Sequence, residues 1–259
     1  MEREIKLPRV EKPTELTHIN AIIYGDSGSG KTFLVGSAQD CEETSPMLFI
    51  DLEGGTRSLG KMDIDVVRPT MFEEIQDIYN YLLHENDKYR SVAVDSLTEL
   101  QKKYSLGVIL GDLNESAHGY IDLIKSIAPS RQDWLRTGGQ MSKLIRSFRD
   151  LAYHPDPSRR VHVFLTALER LNDRRMISSP SLSGVLGEDC GAMVDFLWRL
   201  ARVPQTDADG VTTIRRYLLT DDYINEEGVK YLGKSRGAQD LPKGLWDPSM
   251  REILDHILS

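Results

Sequence analysis

The sequence predicts an α/β fold, a mostly parallel twisted sheet flanked by helices, and three observations predict it. Short apolar runs that stop at a glycine or an acid alternate with amphipathic stretches through the first two-thirds of the chain. Parallel strands joined by crossover helices read this way. The first such run leads directly into the glycine-rich turn "GDSGSGKT" and then into a stretch that continues as a helix. With 259 residues, 40% hydrophobic and 28% charged, the chain can bury one large core.

Taken in order, "HINAIIYG" (18–25) reads as a buried strand ending at a glycine, and "KTFLVGSAQ" follows as a helix. "PMLFIDLEGG" (46–55) is a second strand closed by a Gly-Gly turn, and "DIDVVRP" (63–69) is a weaker third closed by proline. Thr70 and Glu73 form a capping-box pattern, opening a helix with apolar positions Ile75, Ile78, Tyr79, Leu82 and Leu83. "YRSVAVDS" (89–96) is a strand that stops at an acid. "MSKLIRSFRDLA" (141–152) places Met141, Leu144, Ile145, Phe148 and Leu151 on one helical face, and Pro155 and Pro157 end it. Further strands lie within 159–170, 193–203 and 213–220, close enough together to expect a partly antiparallel far edge. Residues 171–192 are rich in Ser and Gly without periodicity, which predicts a long functional loop. Residues 1–17 are expected to form an N-terminal extension and 18–259 a single core.

The net charge of −8 argues against duplex DNA binding by bulk charge. The charge is segregated, however. Between Arg131 and Arg175 ten Lys or Arg face five acids, so this window is positive while the remainder is strongly negative. No apolar run reaches the roughly 18 residues that a membrane span needs. The opening "MEREIKLPRV" lacks the apolar segment of a secretory signal. Cys41 and Cys190 match no metal spacing and read as reduced thiols, so a cytoplasmic location is expected.

The turn supplies the first chemistry. Gly25, Gly28, Gly30, Lys31 and Thr32 satisfy G-x-x-x-x-G-K-[ST], with Asp26, Ser27 and Ser29 completing the loop. Glycines let backbone N–H groups cradle phosphate oxygens at a helix start. Lys31 is expected to reach the β and γ phosphates and Thr32 to ligate Mg²⁺, so ATP and Mg²⁺ are the expected cofactors. Asp95, at the end of "SVAVDS", is the acid for the metal. Asp51 and Glu53 stand where the second strand runs out, and Glu53 is the candidate general base. Gly25, Glu53, Asp95 and Thr166 all sit at carboxyl ends of strands, where open parallel sheets gather their ligands.

Together these pieces resemble the RecA-type P-loop NTPase core, over roughly residues 18 to 240. "MLFIDLEGG" is similar to that family's strand carrying the catalytic glutamate, and "SVAVDSLTEL" to its Mg²⁺-binding strand. "GGQMSKLIRSFRDLA" and the strand after it match a basic helix preceding the family's sensor strand. A family glutamine is replaced here by Ala167, which leaves the sensor role to Thr166. "GKSRGAQDLP" looks like the short segment whose basic residues reach ATP across a protomer interface, implying a role in trans for Lys234 and Arg236 and a homo-oligomer with shared sites. The likeness is nearest to phage-encoded ATPases on a shortened RecA core, some of which anneal single DNA strands; such a protein works in the host cytoplasm.

By position, the family's two DNA-facing loops correspond to about 125–140 and 170–192. The first carries Arg131, Trp134 and Arg136, the second Arg170, Arg174 and Arg175. Arginines near an aromatic suit single-stranded DNA, whose phosphates need neutralising and whose bases stack. The expected function is therefore an ATPase binding single-stranded DNA in phage-type recombination or annealing, with a single-strand-binding protein as a further partner. The alternative is a nucleotide-dependent switch or loader acting through protein partners in replication.

Overall fold

The computed structural model describes residues 16–110, 128–207 and 209–258. Residues 1–15 of the expected extension, and 125–127 of the first expected DNA-facing loop, lie outside the described residues. Six strands run parallel in the order β7-β1-β5-β4-β2-β3: β1 (Asn20–Gly25), β2 (Met47–Asp51), β3 (Asp65–Val67), β4 (Ser91–Asp95), β5 (His162–Asn172) and β7 (Phe196–Thr206). Beyond β7 the sheet continues antiparallel through β8 (Thr212–Leu219) and β10 (Gly244–Trp246). This is the mostly parallel α/β sheet that the sequence predicts, with its antiparallel far edge. The insertion of β5 between β1 and β4 sets the site: Gly25 and Asp95 both end at the sheet's carboxyl edge, one strand apart.

Alternating strand residues build two cores. Ile22, Tyr24, Ile50, Val94 and Leu165 face helices α2 (Phe72–His84) and α5 (Arg131–Leu151). Ile23, Phe49, Ala93, Phe164, Trp198 and Leu200 face α1 (Lys31–Gly36) and α7 (Met250–Ile257). Burial on both faces explains why these strands read as continuous apolar runs. After β4 the chain enters α3 (Leu97–Glu99) and continues through a π-helical turn at Leu100–Ser105 into α4 (Leu106–Leu110). Among the described residues no helix is long and apolar enough to cross a membrane.

Three expectations are corrected. The helix expected over 141–152 begins ten residues earlier, so the first DNA-facing loop is helical from Arg131 onward. Ser130 caps it: its Oγ accepts from Asp133 N at 3.2 Å, and Asp133 Oδ2 accepts from Ser130 N at 2.8 Å. The 171–192 segment is no long loop. β5 runs to Asn172, turns, and pairs antiparallel with β6 (Ile177–Pro180), after which α6 (Leu186–Asp189) forms. Finally, Glu74 rather than Glu73 closes the cap of α2, accepting from Thr70 N at 2.5 Å and Thr70 Oγ1 at 3.1 Å. Helix α7, whose Ser249 Oγ accepts from Glu252 N at 3.2 Å, joins the core without having been expected.

His162 opens β5 and is buried; its Nδ1 accepts from Ile19 N at 3.2 Å, and its ring lies 4.7 Å from that of His18. Burial, followed by the neighbouring His18, lowers the His162 pKa to about 3. Burial and the Arg160 charge lower that of His18 to about 4. Both rings stay neutral in the fold, whereas the unfolded chain protonates them below about 6.5. The stability they contribute is therefore full above that pH and is lost as pH falls towards 3. The melting temperature should fall between about pH 7.5 and about pH 5. His162→Gln, which keeps an acceptor for Ile19, should flatten that slope; an unchanged slope would exclude His162 as its source.

Candidate functional site

The glycine-rich turn is shaped by close approach. A Cβ on Gly25 would stand 2.1 Å from the Leu200 carbonyl oxygen of β7, so only glycine lets the turn leave the sheet there. Gly30 has φ of 101°, in the left-handed region that favours glycine, immediately before α1. Buried Lys31 lies across the turn, its Nζ donating to the carbonyls of Gly25 and Asp26 at 2.9 Å each. Burial lowers its pKa, against the raising influence of Asp95 and Glu53. Ser29 Oγ is buried and unpartnered.

Asp95 is the centre of the cleft. Thr32 Oγ1 donates to its Oδ2 at 2.7 Å, and Thr166 Oγ1 donates to its Oδ1. Burial raises the Asp95 pKa, outweighing these two hydrogen bonds. Thr166 is itself buried and also points at the Val94 carbonyl at 3.5 Å, so it positions Asp95. Glu53 stands exposed beside this pair, and Ser96 Oγ donates to its Oε1. The Thr32 hydroxyl and the Asp95 carboxylate are the hard oxygen donors that suit Mg²⁺, which commonly takes one or two protein oxygens and completes its shell with phosphate and water.

Lys31, Thr32, Glu53 and Asp95 share a cleft of about 340 Å³ with Ser27, Gly28 and Gly30. Asp51 is not part of it. Its carboxylate accepts from Gly54 N at 2.7 Å, Gly55 N at 3.1 Å and Thr56 Oγ1 at 2.6 Å, and thereby holds the turn that presents Glu53. Burial would raise the Asp51 pKa, but these bonds keep it below the ordinary carboxylate value. Lys234 and Arg236 lie elsewhere. Strand β9 (Lys234–Ser235) pairs with Leu197 and Phe196, at the opposite end of β7 from the turn. Lys234 Nζ donates to the carbonyls of Gly191 and Val194 at 2.7 and 2.5 Å, and Arg236 pairs with buried Asp195 at 3.1 Å. They do not enter the cleft of their own chain.

Sequence reasoning missed Arg216 of β8, which lines the cleft. The signal was the pair "RR" inside a strand that ends in apolar residues. The arginines singled out for DNA divide. Arg131 and Trp134 line a groove of about 560 Å³ between α5 and the segment Ser183–Asp189. Arg170 reaches that segment, donating to the Gly184 carbonyl at 3.2 Å. Arg136 and Arg174 are exposed outside the groove, and Arg175 is paired with Glu188 at 2.5 Å. The groove also exposes Leu135 (68%) and Val185 (58%).

A family model described as an AAA domain matches residues 17–221. No curated protein sequence matches significantly. Among solved structures, an ATPase from the type III secretion system of pathogenic bacteria is 16% identical, with 70% of this chain and 50% of that chain covered and a TM-score of 0.40. The chain thus spans half of that protein's length. A second solved structure, described as an ATPase domain, is 11% identical, with 78% of this chain and 76% of that chain covered and a TM-score of 0.45.

The hydrogen-bond pattern makes a prediction independent of ligand. Thr166→Val should leave a buried carboxylate oxygen without its donor and lower the unfolding free energy by about 1–3 kcal/mol. Urea denaturation reads this, and an unchanged midpoint would remove Thr166 from the support of Asp95.

Proposed function

The chain belongs to the AAA domain family and is a P-loop ATPase domain, and from that premise we propose that it is an ATP-dependent, single-stranded-DNA-binding ATPase of the phage recombination and strand-annealing type. One observation carries the reading. The ATP cleft and the groove of Arg131 and Trp134 are joined by the segment that follows Asp95. Thr98, three residues after Asp95, donates its Oγ1 to the Ser181 carbonyl at 3.4 Å and accepts from Leu168 N at 3.0 Å. One turn on, Gln101 Oε1 accepts from Ser183 N at 2.7 Å. The segment that leaves the metal-site strand therefore holds the groove's rim.

In this reading the turn amides and Lys31 bind the β and γ phosphates, and Thr32 and Asp95 hold Mg²⁺, which when bound neutralises charge on the phosphate oxygens. Glu53 takes the proton of the attacking water, with Ser96 fixing the carboxylate by the hydrogen bond at Oε1. Thr166 keeps Asp95 aimed at Thr32. A γ-phosphate that shifts Asp95 or Glu53 moves the start of α3, and Thr98 and Gln101 pass the shift to the groove. ATP then favours the DNA-holding arrangement to the extent that it binds that arrangement more tightly.

Single-stranded DNA fits a groove with an aromatic face and guanidinium groups. Lys234 and Arg236 act, in this proposal, on the ATP of a neighbouring copy, which makes the working unit a homo-oligomer. A single-strand-binding protein is a further partner. The exposed Leu135 and Val185 also support a second reading, in which the groove takes an apolar segment of a replication protein and the ATPase serves as a switch or loader. Co-purification of such a protein after nuclease treatment, with no DNA stimulation, would favour that reading.

ATP turnover should rise with single-stranded DNA, and the stimulation should fall as salt is increased. Trp134→Ala should weaken the stimulation while leaving DNA-free turnover intact. Glu53→Gln should cut turnover about a hundredfold or more and spare nucleotide binding. Unstimulated turnover together with salt-insensitive binding would reject the DNA reading. Turnover per protomer should increase with protein concentration and lose that dependence in Arg236→Ala; a rate that is flat on dilution of the wild type would reject the shared site.

A further inference from the structure

Strands β7 and β8 pair antiparallel with Arg202 directly opposite Arg216, so both side chains leave the same face of the sheet. Two positions back on that face lie Leu200 and Leu218, also opposite each other and packed in the core against α1. The arginines are therefore the next layer outward, above the glycine-rich turn. Their guanidinium groups lie over it: a Cβ built on Gly30 would meet Arg216 Nε at 2.5 Å, and one on Gly28 would meet Arg202 Nη1 at 3.9 Å. Arg216 lines the cleft with Lys31, Thr32 and Glu53.

Neither guanidinium has an ion-pair or hydrogen-bond partner among the described residues. Their neighbours show how this sheet normally treats arginine. Arg215, on the opposite face, is paired with Asp247 at 2.6 Å and lies over the Trp246 ring at 5.2 Å. Arg199 is paired with Glu169 at 2.7 Å and stacks on Tyr231 at 4.1 Å. Like charges set directly opposite each other weaken a strand pair. Arg202 and Arg216 carry that cost with no carboxylate between them, beside a turn built to receive phosphate.

We propose that Arg202 and Arg216 form a clamp that closes on the polyphosphate of the bound nucleoside triphosphate, from the side of the turn away from Asp95. The inference rests on the nucleotide-binding reading above and adds two residues of the same chain to it. The turn amides and Lys31 meet the phosphates from below, and the planar forks of the two arginines reach oxygens those groups leave uncovered. The clamp needs no neighbouring copy, unlike the shared site of Lys234 and Arg236. Besides the strain at its φ of 101°, a side chain at position 30 would meet Arg216.

The test is equilibrium displacement of a fluorescent ATP analogue by ATP and, separately, by inorganic tripolyphosphate. It compares the wild type with Lys31→Ala, Arg202→Gln, Arg216→Gln and Arg216→Lys. Each Gln variant should weaken both competitors about tenfold or more, and Arg216→Lys should recover part of the loss. The nucleotide-free melting temperature of the Gln variants should be equal to or above that of the wild type, since each removes a like-charge opposition. Gln variants that bind both competitors like the wild type would overturn the clamp, and so would a loss confined to ATP, which would place the guanidinium groups on the base. If the wild type itself fails to bind, or Lys31→Ala binds normally, the nucleotide-site reading fails instead.

Discussion

A buried carboxylate has to find a partner for each oxygen, and in this protein that requirement fastens the site together. Asp95 sits at the end of β4 with one oxygen bonded by Thr32 at the start of α1 and the other by Thr166 of β5. Three segments far apart in sequence are thereby brought to one point. The sheet order makes the arrangement possible, because β5 lies between β1 and β4 and can supply Thr166 from the middle. Burial drives the Asp95 pKa upward, so the carboxylate is poised to gain from a cation more than an exposed acid would. The same geometry holds the first turn of α1, and with it Lys31, in place over the phosphate loop.

A second, partly buried pair stands near the cleft. Glu169, at the far end of β5, accepts from Arg199 of β7, and Ser178 of β6 donates to the same oxygen. Arg199 in turn lies over the Tyr231 ring. Replacing only one partner of such a pair strands the other charge, which is why buried pairs hold geometry even where they add little net stability. Here the pair locks the β5–β6 hairpin to the sheet beside the nucleotide cleft. What a propensity reading takes for a loose Ser/Gly segment is thus an anchored extension of a core strand, and the rim that follows it inherits a defined position.

The parts legible in the sequence are those in which local pattern and tertiary role agree. β1, β2, β4 and β5 read as apolar runs because both faces are buried, and the phosphate turn reads as itself because its glycines have no substitute in that conformation. The division of labour between Asp51 and Glu53 was only half visible. Both end the same strand, and only the hydrogen bonds from Gly54, Gly55 and Thr56 show that Asp51 serves the turn while Glu53 faces the cleft. The start of α5 was masked by Gly138 and Gly139, which lower helix propensity. Gly138 lies against Ser183, where a Cβ would make only ordinary contact with its Oγ at 3.6 Å, so packing does not require glycine there. The cap Ser130–Asp133 was present in the sequence and was the better guide. The juxtaposition of Arg202 and Arg216 could not be read at all, since it exists only in the register between two strands.

The two regions of the molecule are joined through side chains at the sheet edge. The nucleotide cleft lies towards α1 and β8, and the groove of Trp134 lies towards α5 and the Ser183–Asp189 segment. Between them stand the ends of β4 and β5. A rigid sheet edge transmits little by bending, because a packed core resists continuous deformation. Side chains that hydrogen-bond across it have discrete alternatives. Thr98 and Gln101 are such side chains: each joins the helix leaving Asp95 to the backbone of the 181–183 segment. The π-helical turn at Leu100–Ser105 places Gln101 inside the fold, where its oxygen reaches Ser183 N. Thr98, ahead of the π turn, and Gln101, within it, are therefore the two side chains that join the end of β4 to the rim of the groove.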